Sequence, residues 1–361
     1  MRRDSGALAR EIDAIGGRVD AYTATEHTCY YAQCLDSHLH WAIDLLSDML
    51  FHSRFAQEDV ELERGVILSE IGMCEDTPED LVLERLIAAV YQGAPLSHPI
   101  LGKASTLKRM TGDSLRAYQK AHYRPGNLVA TLTGSFTPQA EDELCAILSD
   151  LEPGHVPSYK RACYRPAFTT RRKPTEQNHL ILAFPAFSYL DPRSYQLLLL
   201  SFILGGGDSS RLFQELREKR GLCYDTYSYV ADYADTGLLG VYTALSPELE
   251  GKALDAACAL LQDLAEHGPT QEELDLARER IKANVLMGLE SIEARMIHLG
   301  TFQLLYGFVL EQDDLLDAYD AVTVLQLREL AEQIFDFSQI SLSAVGRVAP
   351  AEEYAKRLGS V

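Results

Sequence analysis

"LRAYQKAHYRPGNLVATLTG", residues 115–134, and "LRELAEQIFDFSQISLSAVG", residues 327–346, decide the fold. Each begins as an amphipathic helical stretch and ends as a β-like apolar run closed by glycine. They stand 212 residues apart. Two further pairs keep nearly that separation. "AIDLL" at 42–46 matches "ALDAA" at 253–257, 211 residues on, and "QEDVELERGVILSE" at 57–70 matches "QEELDLARERIKAN" at 271–284, 214 residues on. Three collinear matches imply two copies of one unit.

The unit reads as α+β. In the first copy the pattern predicts a helix over 6–15, strands within 18–35, helices over 38–50, 57–74 and 79–91, and a helix near 111–122. "NLVATLTGSF" reads as a strand. In the second copy it predicts a strand over 179–186, helices over 192–204 and 209–219, strands within 222–245, helices over 250–266 and 270–290 and onward to 335, and a strand over 339–346. "LEPGHVPS", residues 151–158, carries two prolines and a glycine and marks the linker. The expected domains are 1–150 and 160–361. The second copy opens with residues 164–204, for which nothing precedes residue 1 as a match. The first domain is therefore expected to lack its N-terminal strand and helix, roughly 40 residues. That loss would leave a sheet edge unpaired and an apolar face uncovered.

Composition excludes some partners. The 361 residues hold 53 acids against 33 bases, a net charge of −20, which argues against a nucleic-acid partner. Seven scattered cysteines with no C-x-x-C read as reduced thiols in a cytoplasmic protein. The start "MRRDSGALAREIDAIGG" has no apolar core of a signal peptide. No run of apolar residues is long enough for a membrane span, so no membrane partner is expected.

Two acids hold the chemical interest. Glu63 and Glu70 are seven residues apart in a helical pattern, about two turns, and so share a face. In the second copy they align with Ala277 and Asn284, so the shared scaffold does not need them. The acids read either as a solvated acidic face or as a metal ligand with a supporting carboxylate. A zinc site needs further ligands, usually histidine. None of the ten histidines forms an H-x-x-x-H pair, and each alone reads as a surface or capping residue. "GGGDSSRLF" lacks the G-K-[ST] ending of a phosphate loop, and no G-x-S-x-G elbow occurs.

The chain resembles the pitrilysin/insulinase family of inverted zincins, in particular its bacterial processing-protease branch, which is similar to mitochondrial processing peptidase. The resemblance rests on "AREIDAIGGRVDAYTATEHTCYYAQCLDSHLHWAIDLLSDMLFHSRFAQEDVELERGVILSEI", "EDTPEDLV", "HYRPGNLVATLTG" and "LGGGDSSRLFQELREKRGLCYDTYSY", which span nearly the whole chain. It implies a zinc-dependent metalloendopeptidase fold of two homologous sheet-plus-helix domains. It implies that Glu70 is the third zinc ligand and Glu63 the catalytic site's supporting acid. In "LREKRGLCY", Arg217 and Tyr224 resemble the family's Arg/Tyr pair, which binds substrate near the scissile carbonyl. A guanidinium and a phenol are both donors suited to that task. The family's H-x-x-E-H motif, which supplies two ligands and the general base, falls just upstream of "AREIDAIGG" and is absent here. The resemblance thus implies a peptide substrate, added as a strand at 18–34, and a homodimer or a heterodimer with a related chain. It also implies that this chain alone lacks activity. The alternative is a non-catalytic subunit that supplies Arg217 and Tyr224 to an active partner.

Overall fold

The computed structural model describes residues 3–154 and 158–359. Residues 155–157 of the expected linker lie outside them. The first half carries α1 (Ser5–Ile15), β1 (Arg18–Thr23), β2 (Thr28–Gln33), α2 (Leu39–Phe51), α3 (Gln57–Asp76), α4 (Pro78–Val90), α5 (Ala104–Leu107), α6 (Gly112–His122) and α7 (Pro138–Ser149). The second carries β3 (Phe168–Arg172), β4 (Asn178–Ala186), α8 (Ser194–Gly205), β5 (Asp225–Asp232) and β6 (Gly237–Leu245). It continues with α9 (Glu250–His267), α10 (Gln271–Gly288), α11 (Ile292–Tyr306), α12 (Gln312–Asp320), α13 (Val324–Ile334), β7 (Ser341–Gly346) and α14 (Ala351–Leu358). The chain is α+β, as its pattern predicts.

Local devices recur at the separation of the repeat. Thr111 opens α6 with a capping box: its Oγ1 accepts from Ser114 N–H, and Ser114 Oγ accepts from Thr111 N–H. At a distance of 212 residues, Thr323 and Gln326 open α13 in the same way. Gly134 and Gly346, again 212 apart, both sit at positive φ, +108° and +136°. Such angles favour glycine. At Gly346 a Cβ would also lie 2.4 Å from Asn178 Oδ1.

The compact units are not consecutive along the chain. One comprises residues up to Glu70, Ile100–Tyr159 and Met287–Val309; the other comprises Ile71–Pro99, Lys160–Leu286 and the chain from Leu310 onward. The second unit is built on a five-stranded sheet of order β3-β7-β4-β6-β5. β3 and β7 are parallel; the other neighbours are antiparallel. β4 is central, with His179–Ala183 paired to β7 and its whole length paired to β6. Its side chains alternate between two cores. Leu180, Leu182 and Phe184 join α8, α9 and α13, whereas Ile181 and Ala183 join Leu81, Val82, Leu86 and Val90 of α4. α4 thus covers the sheet's second face. α8 is apolar nearly all round, which fits its burial.

The first unit holds the β1–β2 hairpin, antiparallel from Arg18↔Gln33 to Thr23↔Thr28. α1 starts at Asp4, whose Oδ1 accepts from Ala7 N–H at 2.7 Å, and stops at Gly16, φ +62°. Arg3 ties α1 to α2 through Glu11 (2.8 Å) and Asp44 (2.7 Å). α2 buries Ala42, Ile43 and Leu45. α11 also belongs to this unit.

One expectation fails. Residues 128–134 of "NLVATLTGSF" form no strand. Their counterpart, β7, is flanked by β3 and β4 and buried throughout. Among the described residues no strand pairs with this run, and a strand without a neighbour forms no ladder. Instead, Thr131 Oγ1 donates to Met296 O (3.3 Å) and Thr133 Oγ1 to Ile292 O (3.1 Å). Ala130, the counterpart of wholly buried Leu342, is exposed. The expected helix over 209–219 also departs from α geometry: Phe213–Lys219 winds as a π-helix.

Packing on the sheet's second face gives a stability prediction. Leu86 is fully buried in α4, whereas Leu62 in α3 is 75 % exposed. Leu86→Ala is expected to cost about 2–5 kcal/mol and Leu62→Ala less than about 0.5 kcal/mol in urea unfolding. Equal losses would contradict the placement of α4 in this core.

Candidate functional site

The candidate site starts on α3. Its first turn carries Glu58 and Asp59, which suit a helix N-terminus, and none of its 20 residues is buried. The helix is held on one side. Arg64 Nε donates to Leu107 O (2.9 Å) and its Nη2 to Met110 O (2.6 Å), while Arg64 also pairs with Glu61. Gln57 Oε1 accepts from Gly112 N–H at 3.2 Å. Elsewhere the helix is open. Glu63 and Glu70 are both exposed, and neither has an ion pair among the described residues. Leu62 and Val66, at 75 % and 47 % exposure, lie beside them. In α10 the counterpart of Glu63, Ala277, is 1 % exposed in the main core, while Asn284, the counterpart of Glu70, is exposed. The same helical position is therefore covered in one copy and bare in the other.

These residues do not make a zinc site by themselves. A catalytic zinc takes three protein ligands. Among the described residues no group of three or more His, Cys, Asp or Glu is placed to hold a metal. Several histidines are engaged elsewhere. His40 pairs with Glu143, His179 Nδ1 lies 2.8 Å from Tyr242 Oη, His267 pairs with Asp263, and His122 stacks on Tyr118. Burial pushes the His27 and His179 imidazoles below their usual range, which favours neutral rings.

A second constellation lies in the other unit. Leu212, Leu216 and Leu222 are buried and anchor the segment around the π-helix. π-turns in helices often mark functional positions. Gly221, at φ +59°, turns the chain toward β5. Here Arg217 lies over the Phe213 ring (4.6 Å to its centre) and near the Tyr224 ring (6.0 Å). Glu215 pairs with both Lys219 and Arg220, and the Arg220 hydrogen bond holds its carboxyl below the usual range. Arg217 is left exposed and without an ion pair among the described residues. Tyr224 is 70 % exposed, held through its backbone N–H to Ala244 O at 2.8 Å. The structure brings this sequence-predicted pair together with its donors uncommitted. It places Glu63 and Glu70 on one bare helix.

Side-chain patterns did not point to one further feature, a cavity of about 520 Å³ inside the first unit. Its walls are β2, α2, residues 128–136 and α11, and its lining is mainly apolar. The apolar character of α2 and of residues 128–132 was legible in the sequence, but not that they line one space.

Residues 1–104 match the family model described as insulinase (peptidase family M16), and residues 109–281 match that of the peptidase M16 inactive domain. The zinc protease YmxG of Bacillus subtilis is 35 % identical over 344 residues, covering 94 % of this chain and 84 % of that protein. A zinc protease of Streptomyces coelicolor is 37 % identical over 357 residues, covering 96 % and 77 %. Among solved structures, a peptidase M16 inactive domain from Pseudomonas fluorescens superposes with a TM-score of 0.89 at 21 % identity, covering 96 % of this chain and 85 % of that one. A protease from Helicobacter pylori gives 0.88 at 18 %, covering 96 % and 86 %. At such identities the structures speak for the fold; the sequence matches carry the family, and the chain belongs to the insulinase peptidases, family M16.

Proposed function

We propose that this chain is part of a zinc-dependent metalloendopeptidase that acts on peptides and is inactive by itself. In this reading Glu70 is a zinc ligand, Glu63 its supporting carboxylate, and Arg217 and Tyr224 bind substrate. The observation that carries it is the bare face of α3. Glu63 stands exposed where the second copy buries Ala277, so the acid serves something other than the scaffold. The residues present do not complete a metal site, so no catalytic step is assigned to zinc here. What the chain itself offers is a donor pair. Arg217 can place a guanidinium, and Tyr224 a phenol, against a peptide carbonyl or a developing oxyanion. β1 pairs on one side only among the described strands, so its outer edge suits a substrate added as a strand. We place the repeats, about 1–150 and 160–361, as homologous domains of a cytoplasmic homodimer or heterodimer.

A second reading is a non-catalytic subunit that supplies Arg217 and Tyr224 to an active related chain. The match of residues 109–281 to an inactive-domain family favours it. Mixing with an active relative separates the two. A gain in peptide cleavage that disappears in Arg217→Ala but survives Glu70→Ala supports the subunit reading.

The primary test is metal content. Equilibrium dialysis against zinc, followed by washing and metal analysis, is expected to leave substoichiometric metal, because one carboxylate and a supporting acid fall short of three ligands. Zinc retained one to one, and lost in Glu70→Ala, would contradict the incomplete site.

The donor pair makes a separate prediction. Arg217→Ala and Tyr224→Phe are expected to leave the melting temperature nearly unchanged, since exposed substitutions usually fall within about 0.5 kcal/mol. In a reconstituted active enzyme they should lower kcat/KM by about ten-fold or more. Variants that melt several degrees lower but cleave at the normal rate would make the pair scaffold.

A further inference from the structure

We propose that the pocket where β3 and β7 end is a binding site for a phosphate monoester. It is an open pocket of about 400 Å³, lined by Arg172, Lys173, Pro174, Gly346, Arg347 and Val348. β3 is one edge of the five-stranded sheet, and β5, which follows Tyr224, is the other. The site is therefore apart from the donor pair, and its test needs neither zinc nor an active partner.

Charge singles the place out. The chain has a net charge of −20, whereas its residues 153–175 hold six bases and no acid. Two of the six, Arg172 and Lys173, line the pocket, and Arg347 adds a third cation. Lys173 is partly matched: its Nζ lies 3.4 Å from Asp76 Oδ1 and donates to Glu75 O. Arg172 is held through Nε to Val348 O at 3.0 Å, and no carboxylate pairs with it or with Arg347 among the described residues. Two guanidinium charges thus share one pocket whose lining contains no acid. Their mutual repulsion is relieved by a dianion.

The backbone that carries these cations is fixed. Lys173 N–H donates to Gly346 O at 2.9 Å, and the Arg172 bond to Val348 joins the same two segments. Buried Asn178 grips Arg347 from both sides: its Oδ1 accepts from Arg347 N–H at 2.7 Å, and its Nδ2 donates to Arg347 O at 3.3 Å. Asn178 Nδ2 also donates to Glu250, which accepts from Tyr354 Oη as well, so the nearby carboxylate is already engaged. The guanidinium of Arg347 is free while its main chain is clamped, which lowers the ordering cost of binding. A guanidinium offers phosphate a planar fork of donors, and the lysine adds a point charge. The pocket is several times larger than a phosphate group, which leaves room for the organic part of an ester beside Pro174 and Val348.

The probe is phenyl phosphate, titrated into the purified chain by isothermal calorimetry at constant ionic strength and at a slightly alkaline pH, where the ester is a dianion. One ligand per chain is expected, with a Kd of about 1 mM or tighter. Arg347→Gln should weaken binding about ten-fold or more and leave the melting temperature of the free protein unchanged, because the side chain is exposed. Arg347→Lys, which keeps the charge and loses the fork, should fall between the two. Arg161→Gln removes an exposed base of the same segment that does not line the pocket, and should bind like the parent. Inorganic phosphate should bind more weakly than the ester. Absence of saturable binding would overturn the proposal. So would equal weakening by Arg161→Gln and Arg347→Gln, which would reduce the effect to diffuse surface charge, or inorganic phosphate binding as tightly as the ester.

Discussion

A central β-strand that is apolar on both faces is the constraint on which this structure depends. β4 supplies it in the second unit. Its side chains enter two cores at once, and its backbone joins β6 to β7. Burying a leucine or phenylalanine is worth roughly 1.5–3 kcal/mol, so such a strand stabilises two layers through one segment. The helices on either side are ordered by it. α8, apolar nearly all round, has a place only because the sheet presents a closed apolar surface, and α4 finds the other surface for the same reason. In the first unit residues 128–134 form no ladder among the described residues, and they line a cavity together with β2 and α2.

α10 buries Leu274, Ala277 and Ile281, whereas its counterpart α3 buries nothing. The bare face of α3 is where Glu63 and Glu70 stand. The donors in the second unit stand on a π-helix anchored by leucines of its core.

Much of this was legible in the sequence. The two hairpins, α8, α9 and α10 follow from residue type and period, and the repeat announced the shared unit. The matched capping boxes at Thr111 and Thr323 and the matched positive-φ glycines at Gly134 and Gly346 are its structural form. What was not legible is non-local. The apolar run at 128–134 has strand composition, but a strand exists only if a neighbour pairs with it. Nor did sequence order reveal that α4 would serve the second unit and α11 the first, because an amphipathic helix does not name the surface it covers. Of the site, the seven-residue spacing of Glu63 and Glu70 was visible, but its meaning came from the family resemblance. The same holds for Arg217 and Tyr224, whose nearness depends on a π-turn that period reading takes for an ordinary helix.

Native-state hydrogen exchange tests the central claim most directly. Residues 128–134 and β7 are counterparts in sequence, one run without a ladder and the other bonded on both sides. Amides of 341–346 are expected to exchange only through near-global unfolding, and those of 128–134 about a hundred-fold or more faster. Equal protection in the two segments would mean that 128–134 are bonded as a strand, and would contradict the account.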